Sequence, residues 1–268
     1  ILIIMYSKDH LNFIRKLKKE KRKVKFFQLF IIIFFIILWQ ILADLNIINT
    51  FIFSSPKLVM KTIINLHKEN NLYHHIWVTT YETLFSFSIG TILGCLIATI
   101  MWWNKFLAKV LDPYLTILNS LPKVALGPII IIWGGAGIKS IIIMALLISV
   151  IITIINVNQA FNDVDMNKIR LMKSFRATKW QTYFKLILPS SFNTIINSLK
   201  INISMSLIGV IMGEFLVSKE GLGYLIMYGS QVFNMDLVMM GVIVLAIISF
   251  VMYEVVNIIE KNIKRKRN

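Results

Sequence analysis

Hydrophobic and polar positions alternate along this chain in long blocks. Six blocks are apolar for about the 20 residues that a helix needs to cross a hydrocarbon core about 30 Å thick. They run roughly over Phe27–Ile47, Ile76–Trp103, Val110–Trp133, Ile138–Val157, Thr194–Val217 and Leu237–Ile259. The basic segment before the first block resembles the start of a signal peptide. The run Phe27–Leu42 has no small-residue cleavage site behind it, so it reads as an uncleaved first span. The third block is interrupted by Pro113, Pro122 and Pro128, each of which removes a backbone donor and clashes with the preceding turn. In lipid, backbone groups freed in this way persist only against protein or a water-filled cavity. With Asp112, Asn119, Ser120 and Lys123 in the same stretch, the pattern predicts a broken helix lining a polar pathway.

Two connections carry helical patterns of their own. In 51–73, Leu58, Met60, Ile63, Ile64 and Leu66 recur at helical spacing behind Ser55-Pro56. Ser55 is the expected N-cap and Pro56 the first-turn residue of a short amphipathic helix on the outer surface. The connection 156–192 is long and polar between two apolar blocks. It predicts two short amphipathic helices, the first with Ile169, Met172 and Phe175 on one face. The second carries Trp180, Tyr183, Phe184 and Ile187, and Pro189 is expected to end it before the fifth span.

Composition changes the picture in one respect. Of the 268 residues 57% are hydrophobic and only 16% charged, yet the formal net charge is +16. A soluble domain carries about 25% charged residues, and disorder needs low hydrophobicity. A polytopic membrane protein accommodates both numbers if the cations lie on one side. In a six-span arrangement 23 of the 29 Lys and Arg fall on the side that holds both termini and the connection 156–192. The positive-inside rule places that side in the cytoplasm, so the excess charge is a topology signal and not a nucleic-acid footprint.

Candidate chemistry is sparse. The lone Cys95 sits in an apolar run and leaves no multi-cysteine metal site, and the four histidines lack metal-protease spacing. In Gly134-Gly135-Ala136-Gly137-Ile138-Lys139-Ser140 a phosphate loop would need Gly where Ile138 stands, so the segment reads as an outer turn. No catalytic, nucleotide or metal constellation is expected. Gly90-x-x-x-Gly94 and Gly209-x-x-x-Gly213 predict close helix packing within the chain. Glu82 is expected to face the protein interior. The residue type leaves two roles open for Glu214, a cation or gating site, or a cap or partner near the outer interface.

The stretch from Arg170 to Pro189 carries a resemblance. Binding-protein-dependent ATP-binding cassette (ABC) transporter permeases have a loop with the pattern E-A-A, three residues, G, nine residues, I-x-L-P. Leu186-Ile187-Leu188-Pro189 matches its end, and Ser174-Phe175-Arg176-Ala177-Thr178-Lys179-Trp180-Gln181 looks like the segment around the family glycine. The chain is also similar to the nitrate/sulfonate/taurine branch at several motifs. They are Phe53-Ser54-Ser55-Pro56, His75-x-x-x-Thr79, Asp112-Pro113-Tyr114, Leu121-Pro122, Ala125-Leu126-Gly127-Pro128, Gly213-Glu214-Phe215 and Gly221-Leu222-Gly223-Tyr224-Leu225-Ile226. The resemblance runs from about Phe51 to the C-terminus.

It implies an all-α membrane protein of six transmembrane helices with the type I ABC importer permease (MetI-like) fold, in the bacterial plasma membrane with both termini cytoplasmic. The implied organisation is a basic tail over 1–26, a permease domain over 27–260 with the coupling loop at 158–192, and a basic tail over 261–268. The implied partners are a cytosolic ABC ATPase subunit, an extracytoplasmic solute-binding protein, a second permease copy as a homodimer, and the lipid bilayer. No cofactor is implied on this chain, because ATP belongs to the ATPase. The coupling positions carried over are Arg170, Lys173, Ser174, Phe175, Arg176, Ala177, Thr178, Trp180, Leu188 and Pro189. Translocation-path candidates are Asn119, Pro122, Pro128, Ser206 and Glu214. The implied solute is a small polar molecule, often an anion such as nitrate, a sulfonate or taurine, but also a heterocyclic vitamin precursor. A stand-alone secondary transporter or channel is the alternative; it predicts internal symmetry, and the two halves share no clear repeat.

The chain departs from the pattern in places. Its E-A-A positions are Arg170, Leu171 and Met172, and Arg176 stands at the family glycine. If that glycine serves a left-handed turn, another residue there costs about 1–2 kcal/mol. The basic residue that the family has after His75-x-x-x-Thr79 is Glu82 here.

Overall fold

The structure is a computed structural model that describes residues 8–69 and 71–267. The regular elements among them are helical. Two compact units, Ile1–Thr62 and Ile63–Asn268, are described separately.

In the first unit α1 (Lys8–Asp44) is one helix of 37 residues, so the basic stretch and the apolar run behind it are continuous. Of the two tails expected over 1–26 and 261–268, residues 1–7 and 268 lie outside the described residues. Phe26, Phe30 and Phe34 stack along α1 with centroids 6.4 and 6.2 Å apart. Most apolar side chains from Phe26 to Ile37 are exposed all round the helix, as a lipid-facing helix requires. After α2 (Thr50–Phe53) comes α3 (Pro56–Lys68). As expected, Ser55 Oγ accepts from the Leu58 amide at 3.3 Å, and Pro56 opens the helix. Gln40 donates to Asp44 at 2.8 Å and accepts from the Lys57 amide at 3.0 Å, tying the end of α1 to the start of α3.

The second unit is built on α4 (Asn71–Trp103), α5 (Lys105–Ser120), α6 (Gly127–Gly134), α7 (Ile138–Asn162), α8 (Met166–Ser174), α9 (Lys179–Thr182), α10 (Leu188–Val217), α11 (Leu222–Gln231) and α12 (Met235–Arg267). At 33 residues α4 is about 50 Å long, more than the hydrocarbon core requires. Among the described residues five helices are long and apolar enough to span, and α5 with α6 makes a sixth, bent candidate.

The centre is α4, α7 and α10. Both small-residue motifs pack there, within the chain. A Cβ on Gly209 would lie 2.5 Å from the Ala145 Cα, and one on Gly213 would lie 2.8 Å from the Ile141 Cα. On α4, a Cβ on Gly94 would lie 2.5 Å from the Thr153 Cβ. Without a hydrophobic drive between helices in lipid, this backbone proximity supplies the packing energy. Gly209→Ala is therefore expected to cost about 1–3 kcal/mol by overpacking, read as a lower unfolding midpoint in detergent. A midpoint equal to wild type would contradict this packing. Ser86, Ser149 and Ser206 are buried in the same core, where Asn202 Nδ2 donates to Thr91 Oγ1 at 2.7 Å. Near the C-terminal end of α12, Glu260 pairs with Lys200 from the interior of α10 and with Lys264 on its own helix.

Two expectations meet different outcomes. The third span is broken, as expected, into two helices meeting at 91°. Leu121, forced out of helical geometry by the proline behind it, is extended at φ −62°, ψ 138°. Single-turn 3₁₀ geometry follows over Lys123–Leu126, and α6 starts on Gly127-Pro128. Pro113 stays inside α5. Second, Pro189 does not separate a short helix from the fifth span. Tyr183–Ile187 forms a π-turn, with the Leu188 amide bonding back to Tyr183 O, and helix continues from Lys179 to Val217. The wider turn gives the proline ring room that an α-turn would deny it.

Candidate functional site

The α7–α10 connection presents a built element. Asp165 caps α8 through the Asn167 amide at 2.8 Å. At the other end the Ala177 amide bonds to Met172 O at 3.0 Å and the Arg176 amide to Lys173 O at 2.9 Å. This is a Schellman termination. Its left-handed position, usually glycine, is Arg176 at φ +53°. Two residues later Thr178 opens α9 with a capping box. Its hydroxyl accepts from the Gln181 amide, and Gln181 Oε1 accepts from the Thr178 amide. The two reciprocal caps fix the angle between α8 and α9.

Aromatic residues hold this element to the end of α4. Trp180 packs on Trp103 at 4.4 Å between centroids and stacks on Phe184 at 5.7 Å. Tyr183 is buried against Trp102, Trp103 and Phe161, with its hydroxyl 2.9 Å from Thr99 Oγ1. Lys179 donates to the Trp103 carbonyl and sits over both indoles. The outer surface stays apolar and basic. Phe175 is 74% and Trp180 62% exposed, and Arg170, Lys173, Ser174, Arg176 and Thr178 are exposed beside them. Ala177, Leu188 and Pro189 are half-buried. The carried-over coupling positions thus share one element, and Trp102-Trp103, which sequence reasoning passed over, is its platform. A tryptophan pair at the end of a span was the available signal.

Asn119, Pro122 and Pro128 are exposed along the bent α5–α6 pair. Carbonyls at the break find side-chain donors. Lys123 Nζ donates to Asn119 O at 2.5 Å, and Ser120 Oγ to Thr116 O at 2.9 Å. Ser206 and Glu214 are not with them; both are enclosed in helix packing, at 0% and 1% exposure.

At the far end of α4, Glu214 on α10 closes a buried polar knot. Its Oε1 accepts from Thr79 Oγ1 at 2.7 Å and its Oε2 from the Gly223 amide at 2.5 Å; the Tyr224 amide also donates to this carboxylate. Thr79 Oγ1 in turn accepts from the Leu222 amide at 2.8 Å, and His75 Nδ1 from the Gly221 amide at 2.9 Å. The first amides of α11 are thus capped from α4 and α10. Glu82, 2% exposed, faces the interior as expected and lies against Glu214. Gly221, at φ +99°, and Gly223 let the chain approach the carboxylate. The motif His75-x-x-x-Thr79, whose Thr79 is 135 residues from Glu214, thus meets the two glycine-containing motifs around Glu214 and Gly221.

The model of the binding-protein-dependent transport system inner membrane component family matches residues 90–267. The chain belongs to that family. The permease is 28% identical over 218 residues to a Haemophilus influenzae protein named "Probable ABC transporter permease protein", covering 81% of this chain and 88% of that one. It is 22% identical to the taurine transport system permease protein TauC of Escherichia coli, covering 80% of each. A chain of the inward-facing MetNI methionine ABC transporter superposes with a TM-score of 0.64 at 18% identity, covering 73% of the permease and 97% of that chain. The permease therefore has the MetI-type fold expected from the resemblance, and it is a multi-pass membrane transport component, not an enzyme.

Proposed function

We propose that the permease is the membrane-spanning subunit of an ATP-driven importer and that α8–α9 is its coupling element. A separate cytosolic ATPase docks on Phe175, Arg176 and the exposed face of Trp180. Its closure moves α8–α9 as a rigid body, and the continuous helix from Lys179 to Val217 carries the motion into the membrane. The bent α5–α6 pair lines the path against a second copy of the chain, while Glu214 and Ser206 serve packing. A binding protein delivers the solute on the far side, and both termini face the cytoplasm. TauC among the relatives favours a small sulfonate-like solute. The observation that carries this reading is the doubly capped helix pair with its exposed Phe175.

Arg176 supplies the test. Its left-handed geometry costs about 1–2 kcal/mol relative to glycine, a cost consistent with a guanidinium kept for an acidic partner surface. Arg176→Gly is expected to leave the isolated permease as stable as wild type or more so, and to lower solute-stimulated ATP hydrolysis of the assembled complex severalfold. Increased stimulation would contradict the contact and make Arg176 a brake on coupling.

A further inference from the structure

A cavity of about 990 Å³ opens between the start of α5, the end of α7 and α8–α9, at the upper end of the range for ligand sites, about 300–1,000 Å³. Its walls differ in chemistry. Trp102, Trp103, Phe161 and Ile169 line one part; Lys105, Lys109, Lys173 and Lys179 line another, with Asp112 the one acidic residue in the lining. Lys179 is engaged with the Trp103 carbonyl. Among the described residues, Lys105, Lys109 and Lys173 form no ion pair with a carboxylate. Three cations without an ion pair thus line the cavity beside an aromatic wall, against the single carboxylate of Asp112.

The cavity's level in the membrane narrows the choice of ligand. It lies where the apolar run of α4 ends in Trp102-Trp103, and tryptophans at a span end mark the headgroup region. A ligand matching both walls carries an anionic phosphate head and an acyl chain. A free phosphate would use the lysines alone. We propose that this cavity holds the phosphodiester headgroup of an anionic phospholipid, with Lys105 and Lys109 of α5 and Lys173 of α8 on the phosphate. Basic pockets between membrane helices take such headgroups. The lipid then bridges α5, the proposed path helix, to the proposed coupling element.

The test needs the permease alone, so it stands or falls independently of ATPase docking. Purified protein in neutral detergent is titrated with dioctanoyl phosphatidylglycerol, dioctanoyl phosphatidylcholine or glycerol 3-phosphate, with tryptophan fluorescence as readout. Saturable binding of phosphatidylglycerol is expected, with weaker binding of the other two. Lys105→Gln with Lys109→Gln should weaken it roughly thirtyfold, at about tenfold or less per charge. Arginine at both positions should preserve it, separating loss of charge from loss of fold, and Lys57→Gln with Lys61→Gln on α3 should not change it. Equal binding of phosphatidylcholine would overturn the proposal, as would a full response to glycerol 3-phosphate. So would an unchanged affinity in the double glutamine variant. If that variant keeps its lipid affinity but no longer retains the ATPase, the lysines belong to the protein interface instead.

Discussion

Glu214→Ala should unfold the permease at a markedly lower denaturant concentration, a loss of about 3 kcal/mol or more. The carboxylate accepts from the Thr79 hydroxyl and the Gly223 and Tyr224 amides. Alanine removes the acceptor and leaves all three donors buried, and each orphaned donor costs about 1–3 kcal/mol. Water cannot compensate, since Glu214 is 1% exposed. Glu214→Gln keeps one acceptor oxygen and should recover about half the loss. A stability for Glu214→Ala within about 0.5 kcal/mol of wild type, the scatter of surface substitutions, would mean that α11 is held by something else. The same knot explains why a carboxylate inside the membrane need not belong to a path: its lone pairs are already used by a helix N-terminus.

Phe175→Asp should abolish copurification of the ATPase without unfolding the permease. Phe175 is 74% exposed and follows the last turn of α8, so its replacement removes little packing inside the chain. Aromatic anchors at the centre of an interface contribute 2 kcal/mol or more, and a buried unpaired aspartate adds a penalty of its own. Together these predict at least a hundredfold loss of affinity. Phe175→Tyr should retain binding, and Trp133→Ala, at an 83% exposed position in α6, should leave it unchanged. Retention of the ATPase by Phe175→Asp would remove the docking surface from α8–α9.

The spans were legible because lipid imposes length and composition on each helix by itself. The start of α3 was legible for a similar reason, since its cap is the adjacent Ser55. The break of the third span was written in Leu121-Pro122, but its 91° angle was not, because proline ends a helix without fixing where the chain turns next. Pro189 misled in the opposite direction: a π-turn absorbed it, and no local residue announces that. The helix α11 falls between the fifth and sixth apolar blocks and has no side-chain cap of its own at Gly221. Its caps, Glu214 and Thr79, come from other helices, so local sequence shows only glycines at 221 and 223. Arg176 was placed correctly in its turn by spacing, and the hydrogen bonds around it show the left-handed geometry that the family glycine suggested.

The central claim is that this chain moves solute only as part of an ATP-driven assembly. The direct measurement is uptake into proteoliposomes holding the permease alone, or the permease with its ATPase and binding protein. The account predicts uptake only in the complete assembly with ATP, and none in it when Phe175 is aspartate. Uptake by the permease alone, driven by an ion gradient, would contradict it and establish a stand-alone transporter.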